Sequence, residues 1–223
     1  MTRVSGPRFA TWNGRSVALR LGLAMVALLS VVTLSGEAVV RLCLPAYGMV
    51  FTWIAPEFRL IDLAIAADGA DRVVRADVTL DRVVMLGSRV FSPDPRGRAY
   101  ASTLALNAIQ GPMVAMLTAV AWPARCRAQI AWRLLLVIPV AGSAMLFDAP
   151  CVLAAELWKI LLDAAATDRW SALVAWKNFL QGGGRHALGI ALGAAAVLAV
   201  SDRHFPAEAM PAPPSPARKG SGG

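Results

Sequence analysis

The surplus positive charge of this chain is confined to three short stretches, and long apolar runs separate them. Of the formal net charge of +8, segment 1–36 carries +4, segment 99–147 carries +3 and segment 186–223 carries +1. The two intervening segments, 37–98 and 148–185, each contain equal numbers of acidic and basic residues. Because Lys and Arg beside membrane spans stay on the cytoplasmic side, this alternation predicts four crossings with both termini in the cytoplasm.

The composition agrees with a membrane protein, since 57% of the residues are hydrophobic and only 16% are charged. A helix that crosses a bilayer needs roughly 20 predominantly apolar residues. The predicted spans are 17–36, 101–122, 130–147 and 188–200, with Gly183 as an alternative start of the last one. No basic stripe is interleaved with aromatic residues, so the charge indicates a lipid environment and no nucleic-acid partner.

The first apolar run is followed by Glu37 and Arg41, an i, i+4 pair typical of a helix that continues into the headgroup region. Its basic start and the small residues at 34–36 also fit a cleaved signal peptide. We favour an uncleaved anchor because the run is long for a signal peptide.

The segment that follows this anchor has the character of β-structure. Short runs of branched residues at 60–65, 72–80 and 82–86 predict strands. Asp68-Gly69 is a strong turn signal between the first two of them. About 40 residues make a small core, so we expect this element to rest on the membrane or on a partner.

These observations predict an α-helical integral membrane protein of the bacterial inner membrane. It would have four transmembrane helices and a small β-rich periplasmic insertion between the first and the second. The expected segments are a cytoplasmic N-terminus (1–16), the first helix with its outer extension (17–56), the periplasmic β-rich segment (57–98), a three-helix membrane region with an amphipathic outer helix (99–203) and a disordered, Pro-rich cytoplasmic tail (204–223).

Candidate catalytic residues are few. The chain has only two histidines and none of the common metalloprotease, P-loop or nucleophile-elbow motifs, so we expect no metal and no cofactor. Cys151, Arg185 and His186 fall at the outer ends of the third and fourth spans. A thiol activated by a neighbouring His or Arg is the chemistry of cysteine transpeptidases and proteases.

A structural role for the same residues is the alternative. Cys151 would then be a small buried hydrophobe, and Asp148 would pair with Arg185. Cys43 is also on the outer side, and a disulfide between Cys43 and Cys151 would exclude a free nucleophile.

A second candidate site lies before the fourth span, where three glycines expose backbone amides that could bind an anion. The guanidinium of Arg185 and two aromatic side chains would complete a patch for a carboxylate, a phosphate or an acidic loop. The alternative is a structural turn flanked by an interfacial aromatic belt. The residues proposed to bind a partner or an anion are Trp176, Phe179, Gly182, Gly183, Gly184 and Arg185.

Two stretches of the chain carry a family resemblance: the pattern Trp176-x-x-Phe179-Leu180-x-Gly182-Gly183-Gly184-Arg185 and, more loosely, residues 107–112. With them the chain resembles the exosortase-associated integral membrane proteins, especially the type that accompanies exosortase H. The resemblance implies membrane lipid and an exosortase-family membrane enzyme as partners. It also implies a non-catalytic accessory role in sorting proteins that bear a carboxy-terminal anchor.

Catalysis is not implied by this resemblance. The sorting enzymes carry their Cys/Arg/His set in motifs that this chain lacks, and Cys151 is not followed by their Ser-Gly pattern. The alternative function is a small membrane cysteine transpeptidase or protease that uses Cys151, Arg185 and His186. A transporter is disfavoured, because the spans hold almost no ionisable residues at mid-membrane depth.

Overall fold

The computed structural model describes residues 14–94, 96–124, 126–166 and 169–201. Most of the expected cytoplasmic N-terminus and the whole of the expected tail lie outside the described residues. The chain is mostly helical, with a small antiparallel sheet after the first helix. The helices are α1 (Gly14–Ile54), α2 (Asn107–Ala121), α3 (Arg127–Ala164), α4 (Ala172–Phe179) and α5 (Arg185–Ser201), with a π turn at Leu180–Gly184 between α4 and α5.

Three helical segments of the described chain are long and apolar enough to cross a membrane: α1, α3 and the continuous segment Ala172–Ser201. α1 runs for 41 residues without a break, so the helix continues well beyond the first predicted span, 17–36. Glu37 and Arg41 form the expected ion pair on it, with Oε1 and Nη2 separated by 2.8 Å. The third span likewise continues past Pro150, to the end of α3.

The second predicted span is shorter than expected. Its helix, α2, has 15 residues, which corresponds to a length of about 22 Å. The reason is that the first residues of the predicted span 101–122 belong to a strand, β5 (Ala99–Leu104). The structure therefore has three helices of spanning length and one short apolar helix, where the sequence predicted four spans.

The sheet is built from β1 (Phe58–Asp68), β2 (Asp71–Leu80) and β5, in the order β1-β2-β5. The turn predicted at Asp68-Gly69 is confirmed, and Gly69 has φ = 60°, which favours glycine. Because β5 pairs with β2, the sheet continues past residue 98, the expected end of the β-rich segment.

The third predicted strand, 82–86, is reduced to three residues. β3 (Val84–Leu86) pairs with β4 (Arg89–Phe91) in a separate two-stranded hairpin. This hairpin is not hydrogen-bonded to the three-stranded sheet.

The main core lies between α1, α3 and the sheet. Tyr47 and Phe51 of α1 are fully buried one helical turn apart, and Leu153 of α3 is fully buried against them. Alternate residues of β2, including Val74 and Val78, face the same cluster because successive side chains of a strand point to opposite sides. The sheet is thereby fixed to the C-terminal halves of the two long helices.

Small residues allow α2 and α5 to pack closely. A Cβ atom on Gly189 would lie 2.7 Å from the carbonyl oxygen of Gly111, and one on Gly193 would lie 2.6 Å from that of Ala115. The residue numbers of the contacting positions increase together along the two helices, so α2 and α5 run parallel. This spacing is the small-xxx-small pattern by which membrane helices approach each other.

Candidate functional site

A cleft of about 140 Å³ lies between α2, α3, α4 and α5, and we call it the outer cleft. Its walls are mostly apolar, with Gly111 from α2, Phe147 from α3 and Trp176 from α4 among them. Asp148 and Arg185 supply the charged groups of its lining. The outer cleft is therefore an apolar site with one ion pair in its wall.

The ion pair joins α3 to the first residue of α5. Nε of Arg185 donates to both carboxylate oxygens of Asp148, at 2.8 Å to Oδ2 and 3.2 Å to Oδ1. The side chains are only 6% and 12% exposed, respectively. A buried charge is costly unless it is paired, so the ion pair accounts for the burial of both side chains. The pairing of Asp148 with Arg185 considered from the sequence is confirmed.

Only part of the Arg185 guanidinium is used in this pair. Within the described residues, neither Nη group of Arg185 donates a hydrogen bond to protein. Neither Nη atom is among the buried side-chain atoms that lack a partner in the described part of the chain.

The glycine segment forms the corner between α4 and α5. Gly183 has φ = 103°, a conformation that favours glycine and separates the two helices. Gly184 is buried, and a Cβ atom there would lie 2.6 Å from the carbonyl oxygen of Phe179. This agrees with the structural turn considered as the alternative role of these glycines.

The six residues proposed to bind a partner or an anion occupy different surroundings. Trp176 and Arg185 line the outer cleft, and the ring of Phe179 packs on that of Trp176 with centroids 5.3 Å apart. Gly182 and Gly183 are exposed on the turn and are not part of the cleft lining. The structure therefore places Arg185 with Trp176 in the lining of the cleft. Nε of Arg185 donates to the carboxylate of Asp148 there.

The candidate catalytic residues share no side-chain hydrogen bond or ion pair with one another in the described chain. Cys151 makes no hydrogen bond or ion pair there with Arg185 or His186, and it does not line the outer cleft. His186 is exposed, and Cys43 and Cys151 are both free thiols. No group of three or more potential metal ligands occurs among the described residues.

Sequence reasoning missed two buried cations. Lys177 of α4 lies with Nζ 2.6 Å from Oε1 of Glu156 on α3. Arg133 donates from Nη1 to the carbonyl oxygen of Trp122 at 2.8 Å and from Nη2 to that of Pro123 at 3.0 Å. The sequence signal was present for Arg133, which lies inside the predicted span 130–147 where a charge needs a partner.

A second cavity, the outer groove, lies between the β3–β4 hairpin and the connection from α3 to α4. Its volume is about 460 Å³, and its lining includes Met85, Trp158 and Trp170. Met85 and Trp170 are 69% and 77% exposed. The outer groove is therefore bordered by large apolar side chains that the described residues leave uncovered.

The chain matches no known family profile, and no characterised protein and no solved structure is significantly similar to it.

Proposed function

We propose that this protein is a non-catalytic, multi-pass accessory protein of the bacterial inner membrane that binds an exosortase-family sorting enzyme. One observation carries the proposal: the two stretches on which the resemblance rests meet at a single site. Gly111 and Pro112 of the first stretch and Trp176 and Arg185 of the second line the outer cleft together. Residues separated by more than 60 positions in sequence thus form one surface.

The chemistry of that surface favours binding. Among the described residues, the cleft lining contains an ion pair and apolar groups but no Ser, Thr, Cys or His. Among the described residues, Cys151 shares no hydrogen bond or ion pair with Arg185 or His186. A nucleophile needs a base or cation within hydrogen-bond reach, and this arrangement supplies neither to Cys151.

The helix packing supports four crossings with both termini on the same side of the membrane, and the charge pattern assigns that side to the cytoplasm. The short helix α2 runs parallel to α5 and packs closely along it, as the contact of Gly193 with Ala115 shows. A helix shorter than the hydrocarbon thickness can still cross, because the bilayer thins locally and flanking side chains reach the interface. The exposed Trp122 directly after α2 is typical of such an interface.

The outer groove is the second support for an accessory role. Large exposed apolar patches on proteins mark surfaces that bind other proteins or membrane, and Trp is enriched among the residues that dominate binding energy. Here Met85 and Trp170 border a groove outside the helix bundle. We assign this groove to the extracytoplasmic part of the sorting enzyme.

Co-purification tests the proposal. The tagged chain would be co-expressed with the exosortase-family enzyme of the same bacterium and isolated in mild detergent. The enzyme should co-purify with the wild type, and the double variant Met85→Ser/Trp170→Ser should retain much less of it. The matched control, Leu135→Ser/Ile138→Ser, removes equally exposed apolar side chains from α3 and should behave as the wild type.

Two results would contradict the proposal. One is the absence of the enzyme from the wild-type preparation under conditions in which both proteins are stable in the membrane. The other is equal retention of the enzyme by the groove variant and by the control.

A further inference from the structure

The wall of the outer cleft is almost wholly apolar. Its only charged side chains among the described residues are those of Asp148 and Arg185, and they are bonded to each other. The other lining residues are apolar or glycine, with Met145 of α3 and Leu192 of α5 as examples. Because a polar group that is buried without a hydrogen-bond partner is costly, the part of a ligand that enters this cleft must itself be apolar.

The cleft extends along α5 into the part of the chain that can cross a membrane. The lining positions on α5 run from Arg185, its first residue, to Leu192. This distance is two helical turns, or about 10 Å. Leu188 and Leu192 belong to the segment Ala172–Ser201, which is long and apolar enough to span a bilayer. A ligand that follows the cleft therefore lies beside a helix of the membrane region.

The orientation of α4 indicates that the cleft has apolar surroundings. α4 buries its only charged residue, Lys177, against Glu156 of α3. In contrast, the aromatic residues Trp176 and Phe179 of the same helix are 41% and 46% exposed. A helix that faces water has the opposite arrangement, with polar residues outside and apolar residues inside. Phe147, which lines the cleft from α3, is exposed as well, and such aromatic side chains are typical of the lipid interface.

We propose that the outer cleft holds one acyl chain of a membrane phospholipid, which lies along Leu188 and Leu192 while the headgroup stays outside. The cleft volume of about 140 Å³ is close to that of an engineered apolar cavity of about 150 Å³ that binds benzene. A segment of one hydrocarbon chain fits this space, whereas a helix of a partner, about 10 Å wide with its side chains, does not. The chain supplies the dispersion contacts that the lining of an empty cleft lacks. This inference does not depend on the proposed partner enzyme.

The test uses the full chain in membranes that contain phosphatidylethanolamine with a photoreactive diazirine group in one acyl chain. The protein is purified in a mild detergent, washed to remove loosely held lipid and irradiated, and mass spectrometry identifies the labelled residues. We expect label on residues of α3 and α5 that line the cleft, such as Met145 and Leu188. Phosphatidylglycerol with the same modified chain should label the same residues, because the apolar wall contacts the chain and not the headgroup.

A variant that fills the cleft shows whether the label depends on this space. Ala144 lines the cleft on α3 and is exposed, so Ala144→Phe should remove most of the label from Leu188 by occupying the place of the chain. Ala131→Phe adds the same ring at an exposed α3 position outside the cleft lining and should keep the label. If Ala144→Phe does not accumulate in the membrane, the residues labelled in the wild type decide alone.

Three results would overturn the proposal. The first is label confined to residues outside the cleft lining of the wild type. The second is labelling of the lining by a free fatty acid with the same diazirine group but by neither phospholipid. The third is undiminished label in a stably folded Ala144→Phe protein.

Discussion

Lys177 and Glu156 hold α4 against α3 through an ion pair in which the lysine is almost fully buried. Nζ and Oε1 are 2.6 Å apart, and the side chains are 6% and 30% exposed. Because α4 contributes Trp176 to the outer cleft, this pair also positions one wall of the cleft. α4 itself has only eight residues, too few for a stable isolated helix, so its position depends on such contacts.

Removing one member of this pair should be worse than removing both. Lys177→Met leaves Glu156 without its cation and should lower the free energy of unfolding by about 1–3 kcal/mol, less than for a fully buried pair because Glu156 keeps contact with solvent. The double variant Lys177→Met/Glu156→Leu should recover most of that loss. Thermal unfolding in detergent measures both, and a double variant less stable than the single one would contradict this account.

The close approach of α2 and α5 predicts a severe effect of one methyl group. In Gly193→Ala, the new Cβ would lie 2.6 Å from the Ala115 carbonyl oxygen and 2.6 Å from Cβ of Thr118. Such overpacking should cost about 1–3 kcal/mol. Gly142→Ala is the control, because no atom lies within 4 Å of its new Cβ, and it should be neutral or slightly stabilising. A Gly193→Ala protein that melts at or above the wild-type temperature would refute the packing argument.

Cys151 should be dispensable. Replacement of this half-buried thiol by Ala removes one sulfur atom and should leave both the membrane level and the retention of the sorting enzyme near wild type. Leu153→Ala provides the contrast, since Leu153 is fully buried and its truncation should cost about 2–5 kcal/mol. Loss of cellular function in Cys151→Ala at a normal protein level would instead support the cysteine-enzyme hypothesis.

Reporter fusions test the crossings one by one. A fusion after Arg98 should give an extracytoplasmic signal, and fusions after Ala124 and after Gly223 should give cytoplasmic signals. The position after Ala124 is the most informative, because it follows the short helix α2. An extracytoplasmic signal there would mean that α2 does not cross the membrane.

Local hydropathy predicted the long helices but could not assign the residues before α2. Segment 99–104 is apolar and reads as the start of a span, yet its partners are distant in sequence: Val73 pairs with Leu104 and Val78 pairs with Ala99. A short apolar run fits a strand or a helix equally well. Segment 99–104 becomes a strand because it pairs with the edge of β2. That edge forms only when the chain folds, so the local sequence does not reveal it.

The candidate site was predicted in part for the same physical reason. The positions of Asp148 and Arg185 at the outer ends of two helices were sufficient to suggest their ion pair. That Arg185 uses Nε for this pair depends on side-chain torsions that spacing does not determine. Lys177 and Glu156 were missed because nothing local indicates that α4 folds back onto α3.

The pairing of α2 with α5 also bears on how the chain is assembled during synthesis. The glycines that receive α2, Gly189 and Gly193, leave the ribosome more than 60 residues after the helix they bind. Until then α2 lacks the neighbour against which it packs most extensively. A nascent chain that ends before Arg185 therefore lacks α5, the helix against which α2 packs, although α2 itself has already been synthesised.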